Sequence, residues 1–356
     1  MSMLDTEPAR QAVPSDRGNE AVDCLVRVVY RDAAGQINLD WPTDQIRLAL
    51  EDAEGRLWVD IHDPESHAGD LPETLLQDVF KFHPLAVEDA LKETHVPKVD
   101  DWGHYLYIVF HSLEYDPKGG HVKLHELDAF LGKNYLVTYH TEPLGFLEQD
   151  RRNIERDPTN RLRLGVDHLL YHFLDLAVAD FLPAIEALDL AIDTAQEEVF
   201  DSPTPQTLQA IFRIKRSALK LHRVIGPERE VLNRLARDAY DPIADDHRVY
   251  FRDVYDHLVR IHDLSESLRD LISGALDTYL SAISNRTNDT MKTLTLVTVM
   301  FLPMTFLAGF FGMNYFGETL AFHAELPRRT LFRLTCLVMV GSFLGQWWWA
   351  RKKGWF

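Results

Sequence analysis

The chain has 356 residues, enough for two domains or for one domain joined to a membrane module. Its formal net charge of −18 excludes a nucleic-acid binder, because phosphate recognition needs a basic surface. Two isolated cysteines, Cys24 and Cys336, make neither a disulfide framework nor a CxxC metal site and read as core thiols.

Residues 1–22 carry no apolar run of the kind a signal peptide needs and read as a disordered tail, so the domain after them is expected in the cytoplasm. Residues 23–142 read as a cytoplasmic α/β domain. Strands are expected at Cys24–Tyr30, Leu57–Ile61, Tyr105–Phe110, Lys123–Leu131 and Tyr135–Tyr139, from their β-branched and aromatic content. Helices are expected between them at Leu71–Phe80 and Pro84–Lys92.

Residues 143–244 read as a helical hairpin region. A first helix over Leu162–Val199 should kink at Pro183, and a second over Thr207–Ala239 should be irregular at Gly226-Pro227. Its acidic tip, Glu197-Glu198-Val199-Phe200-Asp201, reads as solvated. After Asp241-Pro242 the stretch 245–290 reads as a stalk helix with its own packing seam: Val254, Leu258, Ile261, Ser265, Leu268, Ile272, Ala275, Tyr279 and Ala282. Nothing stops that helix before Gly312, so Phe251–Gly312 should be a single helix, bent at Pro303.

The same helix carries a second stripe: Asp277, Ser281, Ser284, Asn288, Met291, Thr295, Thr298, Leu302, Thr305, Gly309 and Gly312 share one face. Most of them are small or polar, yet no charge occurs from Leu294 to Phe311. A polar stripe on an apolar helix needs something wet to face, which suggests an ion pathway. Charge distribution agrees with a membrane module here. Residues 291–356 hold seven Lys/Arg against two Asp/Glu, a balance of +5, and leave −23 on the rest.

Residues 291–312 therefore read as a first, pore-lining transmembrane helix, 313–333 as an external loop and 334–350 as a second transmembrane helix. Residues 351–356 read as a basic cytoplasmic tail. Trp347-Trp348-Trp349 followed by Arg351-Lys352-Lys353 suits a cytoplasmic membrane boundary, which puts both termini inside. The loop arginines Arg328, Arg329 and Arg333 oppose that charge rule slightly.

The first span ends in Phe311-Gly312-Met313-Asn314-Tyr315. Together with Ser284–Thr295, Phe301-Leu302-Pro303-Met304-Thr305-Phe306-Leu307-Ala308-Gly309, His83–Ala90 and Pro97-Lys98, it resembles the CorA family of magnesium and cobalt channels over most of the chain. Tyr315 departs mildly from the phenylalanine common there. The resemblance implies a funnel-shaped homopentamer in the inner membrane, its α/β domain followed by long helices and two transmembrane helices. It also implies a selectivity ring of Gly312, Met313 and Asn314. Five Asn314 side chains could hydrogen-bond hydrated Mg2+ without stripping its water. Without that role, Gly312 would simply end the helix and Asn314 cap it.

Below the ring, Gly309, Thr305, Thr298 and Asn288 offer room or polar contacts, while Met291, Leu294 and Leu302 could gate by dewetting. Each threonine can instead bond back to its own helix. Asp277 reads either as a five-carboxylate ring or as a surface residue. No Walker A motif occurs, so gradients must drive transport. A divalent ion gains about 4.6 kcal/mol per 100 mV, roughly a thousandfold accumulation, so an ungated pore would flood the cell.

The resemblance implies a Mg2+ sensor between protomers, Asp89 facing a neighbour's Asp253, with Glu88 and Asp175 as a second site. His121, His125 and His257 raise transition-metal binding, although scattered histidines more often lie on the surface. Co2+ and Ni2+ are further candidate cargo. Competing readings are a zinc transporter of the related branch, disfavoured by the intact Gly-Met-Asn, and a membrane-anchored coiled-coil scaffold. No nucleophile–base motif suggests an enzyme.

Overall fold

The structure, a computed structural model, describes residues 24–64, 71–92, 96–116, 119–156, 162–312 and 328–354. The expected N-terminal tail, Met313, Asn314 and most of the expected external loop lie outside these residues. Two compact units are present: residues up to Ala191 with Phe212–Ile272, and Ile192–Ile211 with Ser273–Phe356.

The first unit is built on a seven-stranded sheet: β1 (Leu25–Arg31), β2 (Ile37–Asn38), β3 (Arg56–His62), β4 (Lys98–Asp101), β5 (Leu106–Asp116), β6 (His121–Leu131) and β7 (Tyr135–His140). The spatial order is β2-β1-β3-β7-β6-β5-β4, antiparallel except for the parallel pair β3–β7. All five expected strands are present. The two missed ones are short: β2 has two residues, and β4 (Lys-Val-Asp-Asp) is too polar to announce itself.

Both faces of the sheet are covered, which is why β5 is buried over eight consecutive residues instead of alternating. On one face Leu57, Val59, Ile61, Tyr107, Val109, Phe130 and Val137 pack with α1 (Ile46–Glu51), α2 (Leu71–Thr74, extended by a π turn at Leu75–Val79) and α3 (Pro84–Leu91). Helix α3 starts where expected because Pro84 stands at its first position and His83 Nδ1 accepts the Leu85 N–H at 3.2 Å. On the other face α5 (Val166–Ala179) lies over β3, β5, β6 and β7, with the Phe173 ring 5.1 Å from that of Trp58. Helix α4 (Gly145–Arg156) precedes it.

The expected first long helix is two helices. Helix α6 (Phe181–Asp201) begins after a break at Asp180, not at Pro183. The proline ring clashes with the carbonyl four residues back, at Ala179, so the preceding helix must end there. Pro183 itself then sits in the first turn of α6, where its missing N–H costs nothing. Helix α7 (Pro205–Arg237) corrects a second expectation, since it stays helical through Gly226 and Pro227. Residue 223, whose carbonyl loses its donor, is exposed, so solvent can satisfy it.

Within the first unit, Asp167 anchors the start of the last long helix. Its Oδ2 accepts the Ala244 N–H at 3.0 Å and lies 2.8 Å from His247 Nδ1. From there α8 runs without interruption over Arg248–Gly312, across Pro303 and past Gly274. Val254, Leu258, Ile261, Ser265, Leu268, Ile272, Ala275 and Tyr279 are all buried, so the expected seam holds up to Tyr279, and Ala282 at its end is half-buried.

In the second unit, residues 202–204 turn the chain between α6 and α7. Thr204 Oγ1 accepts the Thr207 N–H at 3.2 Å, and Pro205 occupies the first helical position. Helix α9 (Arg328–Lys352) begins before the expected apolar segment at Leu334. Leu296 and Met300 of α8 pack against Ala350 and Phe343 of α9.

Candidate ion pathway and metal sites

Every residue of the expected stripe, from Asp277 to Gly312, is exposed in the single chain. The face of α8 that packs is a different one. Leu296 and Met300 are buried, and Pro303, Met304 and Leu307 are half-buried. At roughly 100° per residue, that packed face points away from Thr298, Leu302, Thr305 and Gly309, nearly opposite them. The remaining exposed positions, Leu294, Val297, Val299, Phe301, Phe306, Ala308 and Phe310, are wholly apolar. From Leu294 to Gly312 the polar side chains are Thr295, Thr298 and Thr305, and all three lie on the stripe.

The threonine hydroxyls do bond back to their own helix. Thr298 Oγ1 donates to the Leu294 carbonyl at 2.9 Å, and Thr305 Oγ1 to the Phe301 carbonyl at 3.0 Å. Back-bonding does not remove them from a pathway. A hydroxyl whose proton is committed to a carbonyl presents only lone pairs outward, and so acts as an acceptor. The waters around a divalent cation point their hydrogens outward, and an acceptor is what they need.

Met291 and Leu302 interrupt the stripe with exposed apolar side chains, and Leu294 beside it is exposed as well. Lower down, Asn285, Asn288, Asp289, Met291, Lys292 and Thr295 line one open groove, with Lys292 held 2.9 Å from Asp289. Asp277 is exposed on the same face. Among the described residues, α8 is the one helix long and apolar enough to cross a membrane.

The candidate sensor residues fall into two pairs, both within the first unit. Glu88 and Asp89 are adjacent on α3; Glu88 pairs with Lys92, and Asp89 lies 2.5 Å from Lys98 Nζ. Lys98 also reaches Asp100 at 3.0 Å. Burial pushes the Lys98 ammonium down, but its bonds to Asp89 and Asp100 outweigh that and raise it above its ordinary value. Asp175 on α5 and Asp253 on α8 form the other pair. The two helices meet through Tyr171 on α5, whose ring centroid lies 5.1 Å from that of Tyr250 on α8; burial first, then the charges of Asp175 and Asp253, raise the Tyr171 phenol. His257 Nδ1 stands 4.0 Å from Asp175.

Asp175 and Asp253 thus lie on two helices, α5 and α8, that pack on each other in one chain, while Glu88 and Asp89 are neighbours on α3. Among the described residues no group of three or more metal-type side chains converges within one chain. Of the other histidines raised by the sequence, His125 Nε2 lies 3.2 Å from Glu114, and His121 is exposed at the start of β6. No sequence pattern points to the Lys98 clamp on Asp89, because β4, which carries Lys98, is too short and polar to read as a strand.

Comparison with known proteins identifies the family. The model of the CorA-like Mg2+ transporter protein family matches residues 53–352. The chain is 35% identical over 268 residues to the cobalt/magnesium transport protein CorA of Thermotoga maritima, covering 75% of this chain and 76% of that one. It is 26% identical over 282 residues to the divalent cation transporter CmaX of Pseudomonas aeruginosa, covering 79% and 82%. Among solved structures, the CorA magnesium transporter of Methanocaldococcus jannaschii superposes with a TM-score of 0.76 at 20% identity, covering 92% of this chain and 98% of that one. The chain belongs to the CorA-like Mg2+ transporter family, whose members are membrane transporters of divalent cations.

Proposed function

We propose that this chain forms a gated channel that admits Mg2+ down its electrochemical gradient, with Co2+ and Ni2+ as further cargo. The observation that carries this reading is the placement of Thr295, Thr298 and Thr305 on one exposed face of α8, away from the face packed on α9. A lipid-facing stripe has no use for hydroxyl acceptors, and the face packed on α9 lies opposite, whereas a water-filled path lined by several copies of α8 uses them. Five copies around an axis, each contributing α8 and with α9 outside as a second span, would form such a path. Both termini then lie in the cytoplasm, as the acidic first unit and the basic residues after Trp349 favour.

The chemistry follows from the ion. Mg2+ holds its water tightly, so a pore must pass it largely hydrated. Asn314 carbonyls from five chains, at the mouth beyond Gly312, would accept hydrogen bonds from that shell. Thr305 and Thr298 would accept them in turn, and Gly309 leaves width between them. Rings of Leu302, Leu294 and Met291 have no acceptor and would exclude water when drawn together, closing the path by dewetting.

Closure should report cytosolic Mg2+. Glu88 and Asp89 of one chain would face Asp175 and Asp253 of the next. The paired carboxylates repel one another until a cation joins them, so high Mg2+ latches neighbours together and low Mg2+ frees them. Lys98 partly neutralises Asp89, which would keep the latch weak enough to release.

Replacing Asn314 by alanine should abolish Mg2+ flux into liposomes while leaving the oligomer intact; undiminished flux would refute the ring. Asp253→Lys should shift the Mg2+ concentration that inhibits flux, and an unchanged inhibition curve would remove Asp253 from the latch. Proton-driven zinc flux without Mg2+ flux would replace this reading by zinc transport.

A further inference from the structure

The packing seam of α8 contains one polar member, Ser265, and its neighbourhood is unusual. Ser265 is 1% exposed and its Oγ has no hydrogen-bond partner. One turn earlier on the same helix stands His262, and the ring of His222 on α7 faces it with centroids 5.7 Å apart and planes tilted by 37°. The Nδ1 atoms of both rings are buried, and neither has a hydrogen-bond partner. All three residues belong to the first unit.

We propose that His222 and His262 form an exchangeable binding site for a late first-row divalent cation, Co2+, Ni2+ or Zn2+, between α7 and α8. The spacing fits. An ion about 2.1 Å from each nitrogen, at an open angle between them, holds two imidazole centres roughly 5–6 Å apart. The ligand type fits as well. Neutral imidazole nitrogen suits these ions, whereas Mg2+ prefers oxygen and an octahedral shell of water. Water would complete the coordination. The nearest carboxylate to His262 Nδ1, that of Asp263 at 3.8 Å, adds a favourable negative charge.

Two protein ligands make an exchangeable site and not a structural one. Its occupation would clamp α7 onto α8, the helix that also carries the polar stripe. The site differs in place and in ligands from the carboxylate pairs above and does not depend on their role.

The test uses untagged full-length protein in detergent, titrated with Co2+ and followed by visible absorption and by calorimetry. His222→Gln and His262→Gln should each weaken one Co2+ equivalent per chain by at least about tenfold, and the double variant should lose it. Excess Mg2+ should leave the wild-type signal in place. Retention of that equivalent at wild-type affinity in a double variant with unchanged circular dichroism would overturn the proposal, as would displacement by Mg2+. A measurement on the wild-type chain covers the case of misfolding variants. Co2+ should slow modification of His222 and His262 by diethyl pyrocarbonate, and equal rates with and without Co2+ would also overturn it.

Discussion

Replacing Glu228 by glutamine should stabilise the first unit near neutral pH. Glu228 follows Pro227 on α7 and is fully buried. Its Oε1 accepts the His111 N–H at 2.9 Å, on the edge of β5 where β4 has already ended opposite Val109. Its Oε2 has no partner. Burial raises this carboxyl well above its ordinary 4.5, and the His111 N–H opposes that only in part. The folded chain therefore keeps the proton to higher pH than the unfolded chain does. Stability is greatest below about 4.5 and declines as pH rises toward the folded value, by about 1.4 kcal/mol per pH unit.

Glutamine keeps the acceptor for His111 and cannot ionise. Its extra amide N–H costs about 1–2 kcal/mol if left unpaired. The gain should grow as pH rises above 4.5 and reach the order of 1 kcal/mol near neutral pH, roughly 2–4 °C in the unfolding midpoint for a unit of this size. Below pH 4.5 the gain should vanish or reverse. Thermal unfolding of both proteins from pH 4.5 to 7.5 measures this. A variant less stable than wild type at every pH, or one with the same pH slope, would refute the reasoning.

Three further outcomes follow from the same structure. Asp60 is buried against Thr138 Oγ1 at 2.6 Å and His140 Nε2 at 3.3 Å; burial raises it, but the His140 partner prevails and holds it below its ordinary value. Asp60→Asn should cost about 3 kcal/mol at pH 7, shrinking as pH falls below about 4 and the wild-type carboxylate protonates, as denaturant titrations would show. Met300→Ala, on the packed face, should lower stability by about 2–4 kcal/mol, measurable as an earlier unfolding midpoint. Thr298→Leu, on the exposed stripe, should leave that midpoint within about 0.5 kcal/mol but cut Mg2+ flux, because it replaces an acceptor with a hydrophobe.

The legible parts of this molecule are those whose residues act through periodicity. β3 and β5–β7 could be read from β-branched and aromatic runs, and the α8 seam and stripe from repeats of three and four. What periodicity does not encode was missed. Lys98–Asp101 looks like a solvated loop until β5 supplies a ladder, and the break at Asp180 depends on a clash that Pro183 projects one turn backward. Asp60, Asp128 and Glu228 have the composition of a surface and the environment of a core. Asp128, for example, is buried against the Tyr107 hydroxyl at 2.6 Å. Burial and the charge of Glu126 raise its carboxyl, and that hydroxyl bond only partly offsets them. Asp175 and Asp253 were expected in two separate sites; that the helices carrying them, α5 and α8, pack on each other through Tyr171 and Tyr250 is a juxtaposition that no periodicity encodes.

The most direct measurement is uptake of Mg2+ into sealed liposomes carrying the purified full-length chain, under an imposed inside-negative potential. Uptake should rise with the potential, saturate with external Mg2+, fall when Mg2+ is placed on the side of the first unit, and disappear with Thr298→Leu and Thr305→Leu combined. Electroneutral uptake indifferent to the potential, or full uptake in that double variant, would contradict a water-filled path along the α8 stripe.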